Sequence, residues 1–463
     1  MMDQPKVLLI VCDTLKADHL GCYGYFRETS PNIDRIASEG VLFEDFYNAG
    51  SPTGPGFTCI YTGLHTIHHK YYRFGEPNLR QVDDTIFTMP EIMRAMGYTT
   101  AGFDNLMNLI YGRSKHFVRG YEFYVNCGPD TFDSAHYLRA EQLNHRLIPW
   151  VKNYSDEKFF LFIHYWDPHL PYNQPEEYKR LFHHEPGNLS DLEVCEALAG
   201  YKYVPGWGKV GEFADGEVRA PYGPYPTVSI DHYDGEIAYM DHAIGEVLEA
   251  LDGEGILDQT MVIVTSDHGE QFGQHSGYGW EHDGLHDAVT HLPLIIRYPM
   301  KLPKGVKIGG FCQQIDILPT ILDLLNVQPE NIEIDGKSVM PLLKGEKIRS
   351  EIFMEHTSGQ RAIRTDQWKL LDDELHDEEW KKRPHRGLEL FNVKNDPMEM
   401  INLAKTETDK AEALRATLHG WVKTNLKEGE TDPAIYKDWG ELHKKSLEYR
   451  QKTVQLLDSL KET

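Results

Sequence analysis

The sequence predicts an α/β fold with a mixed, mainly parallel sheet flanked by helices and a smaller C-terminal α+β subdomain. Three observations predict it: apolar runs that end abruptly in polar residues, helical patterns between them, and a change to short alternating strands near residue 350.

The first run, Val7-Leu8-Leu9-Ile10-Val11, is continuously apolar and rich in β-branched residues, as suits a parallel strand covered on both faces. Phe159 to Ile163 and Met261 to Val264 read the same way. Polar residues follow each run at once: Asp13, then Asp167-Pro168-His169, then Ser266-Asp267-His268-Gly269. In open α/β sheets the functional crevice lies beyond the carboxyl ends of the strands, where these residues can converge.

Helical spacing runs through Ile33 to Glu39, Thr88 to Met96, Leu138 to Lys152 and Ile237 to Leu251, so strand and helix alternate. Residues 184–230 are rich in Gly, Pro, Tyr and Trp and read as an irregular insertion that could form a lid. Beyond residue 350, Arg361 to Arg364 and Trp368 to Leu371 read as short strands, with a turn at Asn395-Asp396-Pro397. The expected division is a main α/β domain over 1–349 and a subdomain over 350–463 with a small antiparallel sheet and a terminal helix. That helix, Tyr436 to Leu460, would pack on the body or on another subunit, which leaves a homo-oligomer open.

A chain of 463 residues can bury a large core. Asp and Glu outnumber Lys and Arg by 72 to 47, and the net charge of -25 repels nucleic-acid backbones and anionic membrane surfaces. Neither is an expected partner. An anionic small molecule would need a local positive centre here, such as a metal ion. The six cysteines, Cys12, Cys22, Cys59, Cys127, Cys195 and Cys312, lack the paired spacing of a zinc knot or a disulfide framework. With a short N-terminal apolar run and no cleavage-site pattern, they lead to the expectation of a cytoplasmic protein.

Three places carry chemistry, each with a plainer alternative. Asp13 could act in a site or cap a turn. Asp267-His268 sets a hard carboxylate beside an imidazole, as two metal ligands or as a turn with a satisfied histidine. Thr53, in Ser51-Pro52-Thr53-Gly54-Pro55-Gly56-Phe57, precedes a helix-compatible run, so its hydroxyl would lie near free N–H groups or serve as a cap.

The run Leu9-Ile10-Val11-Cys12-Asp13-Thr14-Leu15-Lys16-Ala17-Asp18-His19-Leu20-Gly21-Cys22-Tyr23-Gly24, followed by Ser30-Pro31-Asn32-Ile33-Asp34-Arg35-Ile36-Ala37, resembles the opening of a sulfatase-family enzyme of the alkaline phosphatase superfamily. Asp167-Pro168-His169-Leu170-Pro171-Tyr172 resembles that family's histidine-bearing substrate loop, and Ser266-Asp267-His268-Gly269-Glu270 its second metal motif. His291 to Ile296 resembles the strand that follows, and Glu389 to Val393 with Asn395-Asp396-Pro397 and Asn402-Leu403 the C-terminal subdomain. The resemblance spans nearly the whole chain except the insertion and the final helix.

It also has departures. Sulfatases begin a Cys/Ser-x-Pro-x-Arg motif with a residue converted to formylglycine, whereas this chain reads Thr53-Gly54-Pro55-Gly56-Phe57. Thr cannot become the aldehyde, so no formylglycine is expected, and Phe57 replaces the supporting Arg. Lys70 and Arg73 are nearby cations that could compensate by binding substrate. Thr14 and His268 stand where many sulfatases carry Asp and Asn, which favours Mn or Zn over Ca.

The resemblance implies an alkaline phosphatase/sulfatase-like scaffold with Asp13, Thr53, Asp267 and His268 on a divalent metal, the set used by superfamily members that act on phosphoesters with Thr. Thr53 would be the nucleophile, His169 and His282 would protonate the leaving oxygen or activate water, and Asn105 would bind the anion near the family's substrate lysine. The leading expectation is a metal-dependent hydrolase of a small-molecule or saccharide phosphate monoester or diester. The alternatives are a sulfate-ester hydrolase, alone or with both activities, and an inactive sulfatase-like binding protein.

Overall fold

The computed structural model describes residues 5–72, 82–104, 115–126, 139–170, 172–182, 226–272, 275, 282, 284–328, 332–373, 387–430 and 432–434. Eight strands form the main sheet, in the order Val306–Ile308, Val41–Phe43, Leu294–Arg297, Thr260–Ser266, Lys6–Cys12, Phe159–Tyr165, Thr99–Asp104 and Phe123–Asn126. Neighbours are parallel except around Leu294–Arg297, which runs antiparallel to both of its partners. The three central strands are buried at every position, as their continuous apolar sequences require.

Side-chain alternation divides the core into two layers. Leu8, Ile10, Ile163 and Val264 face the helices Ala140–Asn153 and Pro226–Gly253, while Val7, Leu9, Val11, Phe160, Phe162 and Ile263 pack with Phe57, Ile60 and Tyr61 of the helix Thr53–Thr62. The second face matters for function. Continuing the period of two past the apolar residues brings Asp13 after Val11, His164 after Phe162, Asp104 after Gly102 and Asp267 after Thr265. Polar side chains therefore gather at the carboxyl edge, beneath the helix that begins at Thr53.

The expected helix Ile237 to Leu251 is the end of a longer one, Pro226–Gly253, so 226–230 belong to a helix and not to the irregular insertion. Its early turns are anchored by polar contacts that an apolar count overlooks: Asp231 and Asp234 pair with the buried Arg27 at 2.7 and 2.6 Å. The rest of the insertion and the segment Tyr436 to Leu460 lie outside the described residues. Among the described residues, Cys12, Cys22, Cys59 and Cys312 are free thiols, and no helix is long and apolar enough to cross a membrane.

A second sheet has the order Leu388–Phe391, Lys369–Asp372, Arg361–Thr365, Glu351–His356 and Gly50–Ser51. Its first four strands are antiparallel, and the helix Thr408–Asn425 packs Ala411 and Leu418 against Ile363, Leu370 and Leu390. The fifth is parallel and ends two residues before Thr53, with Ser51 opposite His356. The C-terminal sheet is thus joined directly to the strand that delivers Thr53.

A buried ion cluster makes a second joint. Fully buried Lys369 donates to Asp287 at 2.7 Å and contacts Glu399 at 2.8 Å, and Arg364 lies 2.9 Å from Asp287. Asp287 opens the turn whose Val289 carbonyl accepts from Gly269 N at 2.8 Å, next to His268. Lys369→Met would strand two carboxylates without their shared ammonium, and a loss of about 3–5 kcal/mol is expected in denaturant unfolding.

Candidate active site

Thr53 occupies the first position of its helix, is 8 % exposed, and places Oγ1 3.0 Å from His268 Nε2. This approach depends on Gly56, because a Cβ there would lie 2.8 Å from the Asp267 carbonyl oxygen. His268 Nδ1 lies 2.9 Å from the Gly269 carbonyl, which can only accept, so Nδ1 carries the hydrogen and Nε2 presents its lone pair.

That lone pair is 3.6 Å from Asp13 Oδ1 and 3.5 Å from Asp267 Oδ2. One ligand atom from each of Asp13, Asp267 and His268 falls within 4.8 Å of the others, and all three residues are fully buried. Asp267 Oδ1 accepts from the backbone N–H groups of Thr14 and His268 at 3.2 and 2.9 Å, while its buried Oδ2 accepts no hydrogen bond among the described residues. Two hard oxygen donors and a neutral imidazole nitrogen with its lone pair turned inward suit a divalent cation. The residues present therefore fit a metal ion.

Burial pushes the Asp267 carboxyl up to about 6 and holds His268 down to about 4, so the imidazole is neutral at pH 7. A metal ion has to displace the Asp267 proton below that value. Divalent-metal affinity is accordingly expected to fall by roughly tenfold per pH unit below about 6, as measured by competition with a chelator between pH 5 and 7.

His169 and His282 join this group. The His282 ring is centred 4.5 Å from that of His268, and His169 lies 5.3 Å from His282 and 6.4 Å from His268. Burial, reinforced by the neighbouring imidazoles, holds both well below the ordinary histidine value. The structure thus gathers Asp13, Thr53, Asp267, His268, His169 and His282, the residues singled out from sequence. It does not bring Lys70 to them: that residue takes a left-handed conformation at the end of Thr66–His69, and its ammonium pairs with Glu430. Arg73 and Asn105 lie outside the described residues.

Four further side chains belong to the surroundings. His164, fully buried, lies 3.3 Å from Asp13 and 2.8 Å from Asp104. In sequence His164 reads as the end of an apolar run, and Asp104 ends a strand whose Thr and Gly break the apolar pattern. His356 comes from the C-terminal sheet and, after burial and the Gly269 carbonyl, is among the causes that act on His268. Its separation in sequence left no signal. Phe57 lies beneath the site, with its ring 4.6 Å from that of His164 in an edge-on contact.

Residues 5–327 match the sulfatase family model, and residues 276–428 match the C-terminal model of N-sulphoglucosamine sulphohydrolase. The chain is 23% identical to an N-acetylglucosamine-6-O-sulfatase of Bacteroides thetaiotaomicron, with 92% of this chain and 88% of that protein covered. It is 27% identical to the iduronate 2-sulfatase of Homo sapiens, over 74% and 69% of the two chains. The phosphonate monoester hydrolase of Agrobacterium radiobacter superposes with a TM-score of 0.69 at 22% identity, covering 91% of this chain and 96% of the other. With the family model extending over most of the chain, the protein belongs to the sulfatase family of the alkaline phosphatase superfamily and is an anionic-ester hydrolase of that family.

Proposed function

We propose that the chain hydrolyses phosphate monoesters or diesters with Thr53 as the nucleophile, in a site held by Asp13, Thr53, Asp267 and His268 around a divalent metal, Mn or Zn by its donor set. The observation that carries this reading is the 3.0 Å contact of Thr53 Oγ1 with His268 Nε2, at the position that the motif resemblance assigns to formylglycine. A formylglycine hydrate releases sulfate by breaking a carbon–oxygen bond, and Thr offers no such exit. A phosphorylated Thr can be cleared by water at phosphorus. The phosphonate monoester hydrolase with the same fold supports phosphorus chemistry on this scaffold.

When bound, the ion supplies positive charge that favours the ionised hydroxyl and the anionic transition state. Thr53 Oγ forms a bond to phosphorus as the bond to the leaving oxygen breaks. His282 and His169, held neutral by burial, accept the hydroxyl proton and pass it to the leaving oxygen. The same imidazoles then take a proton from water as it attacks phosphorus, and Thr53 leaves and is reprotonated. A small-molecule or saccharide substrate fits the sugar sulfatases among the relatives, and the free thiols among the described residues fit a cytoplasmic location.

The test is a comparison of rates on aryl phosphate monoester, aryl phosphodiester and aryl sulfate after metal reconstitution. Faster phosphoester turnover supports the reading. Dominant sulfate turnover, which the sulfatase relatives favour as the second reading, overturns it, and no turnover on any ester leaves an anion-binding protein.

A further inference from the structure

The Asp13 carboxylate is divided between two neighbours. Its Oδ1 lies 3.6 Å from His268 Nε2, and its Oδ2 lies 3.3 Å from His164 Nε2. The other ring nitrogen of His164 lies 2.8 Å from Asp104 Oδ1, and the Tyr124 hydroxyl donates to Asp104 Oδ2. Strand register builds this row. His164 pairs with Val11 on one side and Asp104 on the other, and Asp104 pairs with Asn126, two residues beyond Tyr124. The four side chains thus cross adjacent strands along the carboxyl edge of the sheet. Asp13 and His164 are wholly buried, Asp104 is 1 % exposed, and the Phe57 ring packs against the His164 imidazole.

A carboxylate that offers one oxygen to an ion can rotate about its Cβ–Cγ bond unless the other oxygen is held. Groups that hold a ligand in this way set metal affinity. We propose that His164, itself fixed by Asp104, is a positioning residue that turns Asp13 Oδ1 toward His268 and Thr53 and thereby sets the affinity of the site for its divalent ion. The inference rests on Asp13 being a metal ligand. It also gives Phe57 a role: an apolar ring supports the imidazole, and the imidazole supports the carboxylate.

The test is calorimetric titration of manganese(II), and separately of zinc(II), into the metal-free full chain. The proteins compared are the wild type, Asp13→Ala, Asp104→Asn, His164→Gln and the last two combined. Melting temperatures of the metal-free proteins report packing independently. The expected result is a loss of affinity of about 10- to 100-fold in Asp104→Asn and in His164→Gln, with the double variant no weaker than His164→Gln alone. If Asp13→Ala fails to bind while Asp104→Asn and His164→Gln both bind within about twofold of the wild type, the positioning role is overturned and the metal set stands. If Asp13→Ala binds like the wild type, the metal set itself is wrong and the inference falls with it. Should His164→Gln not fold, Asp104→Asn decides between these outcomes alone.

Discussion

Thr53→Ala is expected to lower kcat on the preferred ester by on the order of 10³-fold or more, while metal binding through Asp13, Asp267 and His268 persists. Loss of the hydroxyl removes the protein atom that forms the covalent bond to phosphorus. Because Thr53 opens its helix with little exposed surface, the Ala variant leaves the Gly56 approach to Asp267 unchanged, and the fold is expected to survive. Thr53→Ser keeps a hydroxyl on a less restricted side chain and is expected to retain a large part of the activity. Steady-state rates on the best of the three aryl esters check both variants. An unchanged kcat in Thr53→Ala would remove the hydroxyl from the chemistry.

The second large effect concerns the carboxylates. Asp267→Asn removes the negative charge whose Oδ2 lies 3.5 Å from His268 Nε2, and it leaves a buried amide at a point built for an anion. The ion's contribution to the transition state is worth several kcal/mol, so loss of the ion by mutation or chelation is expected to cost on the order of 10³-fold in kcat/KM. The two treatments are expected to coincide: a chelator slows the wild type to the level of Asp267→Asn and slows the variant no further. Rates with and without a chelator, followed by return of Mn or Zn, check this. A variant still sensitive to chelation would show that Asp267 lies off the metal.

Much of this site was legible in sequence because a buried parallel strand announces itself and its carboxyl end is where polar residues collect. Val7 to Val11 and Met261 to Val264 led directly to Asp13 and to Asp267-His268, and the structure extends these runs only to Lys6–Cys12 and Thr260–Ser266. The last two strands of the sheet, Thr99–Asp104 and Phe123–Asn126, were not legible, since Gly, Thr and Asn break their apolar pattern. Asp104 went unseen with them. His164 was missed for a different reason: it looks like the end of an apolar run, and its meaning appears only when register places it between Asp13 and Asp104. Lys70 was not brought to the gathered residues because proximity in sequence does not fix direction: its chain turns left-handed and its ammonium pairs with Glu430. His356 and the Lys369 cluster depend on contacts made across most of the chain, which no local pattern encodes.

Attack on phosphorus by Thr53 leaves a signature in the configuration of the product. The stereochemical course of hydrolysis, followed with an aryl ester whose phosphoryl group is made chiral by isotopic and sulfur labelling, reports it without relying on any variant. Two displacements, first by Thr53 and then by water, predict net retention of configuration at phosphorus. Net inversion would mean that water attacks the substrate in a single step, and would contradict the account.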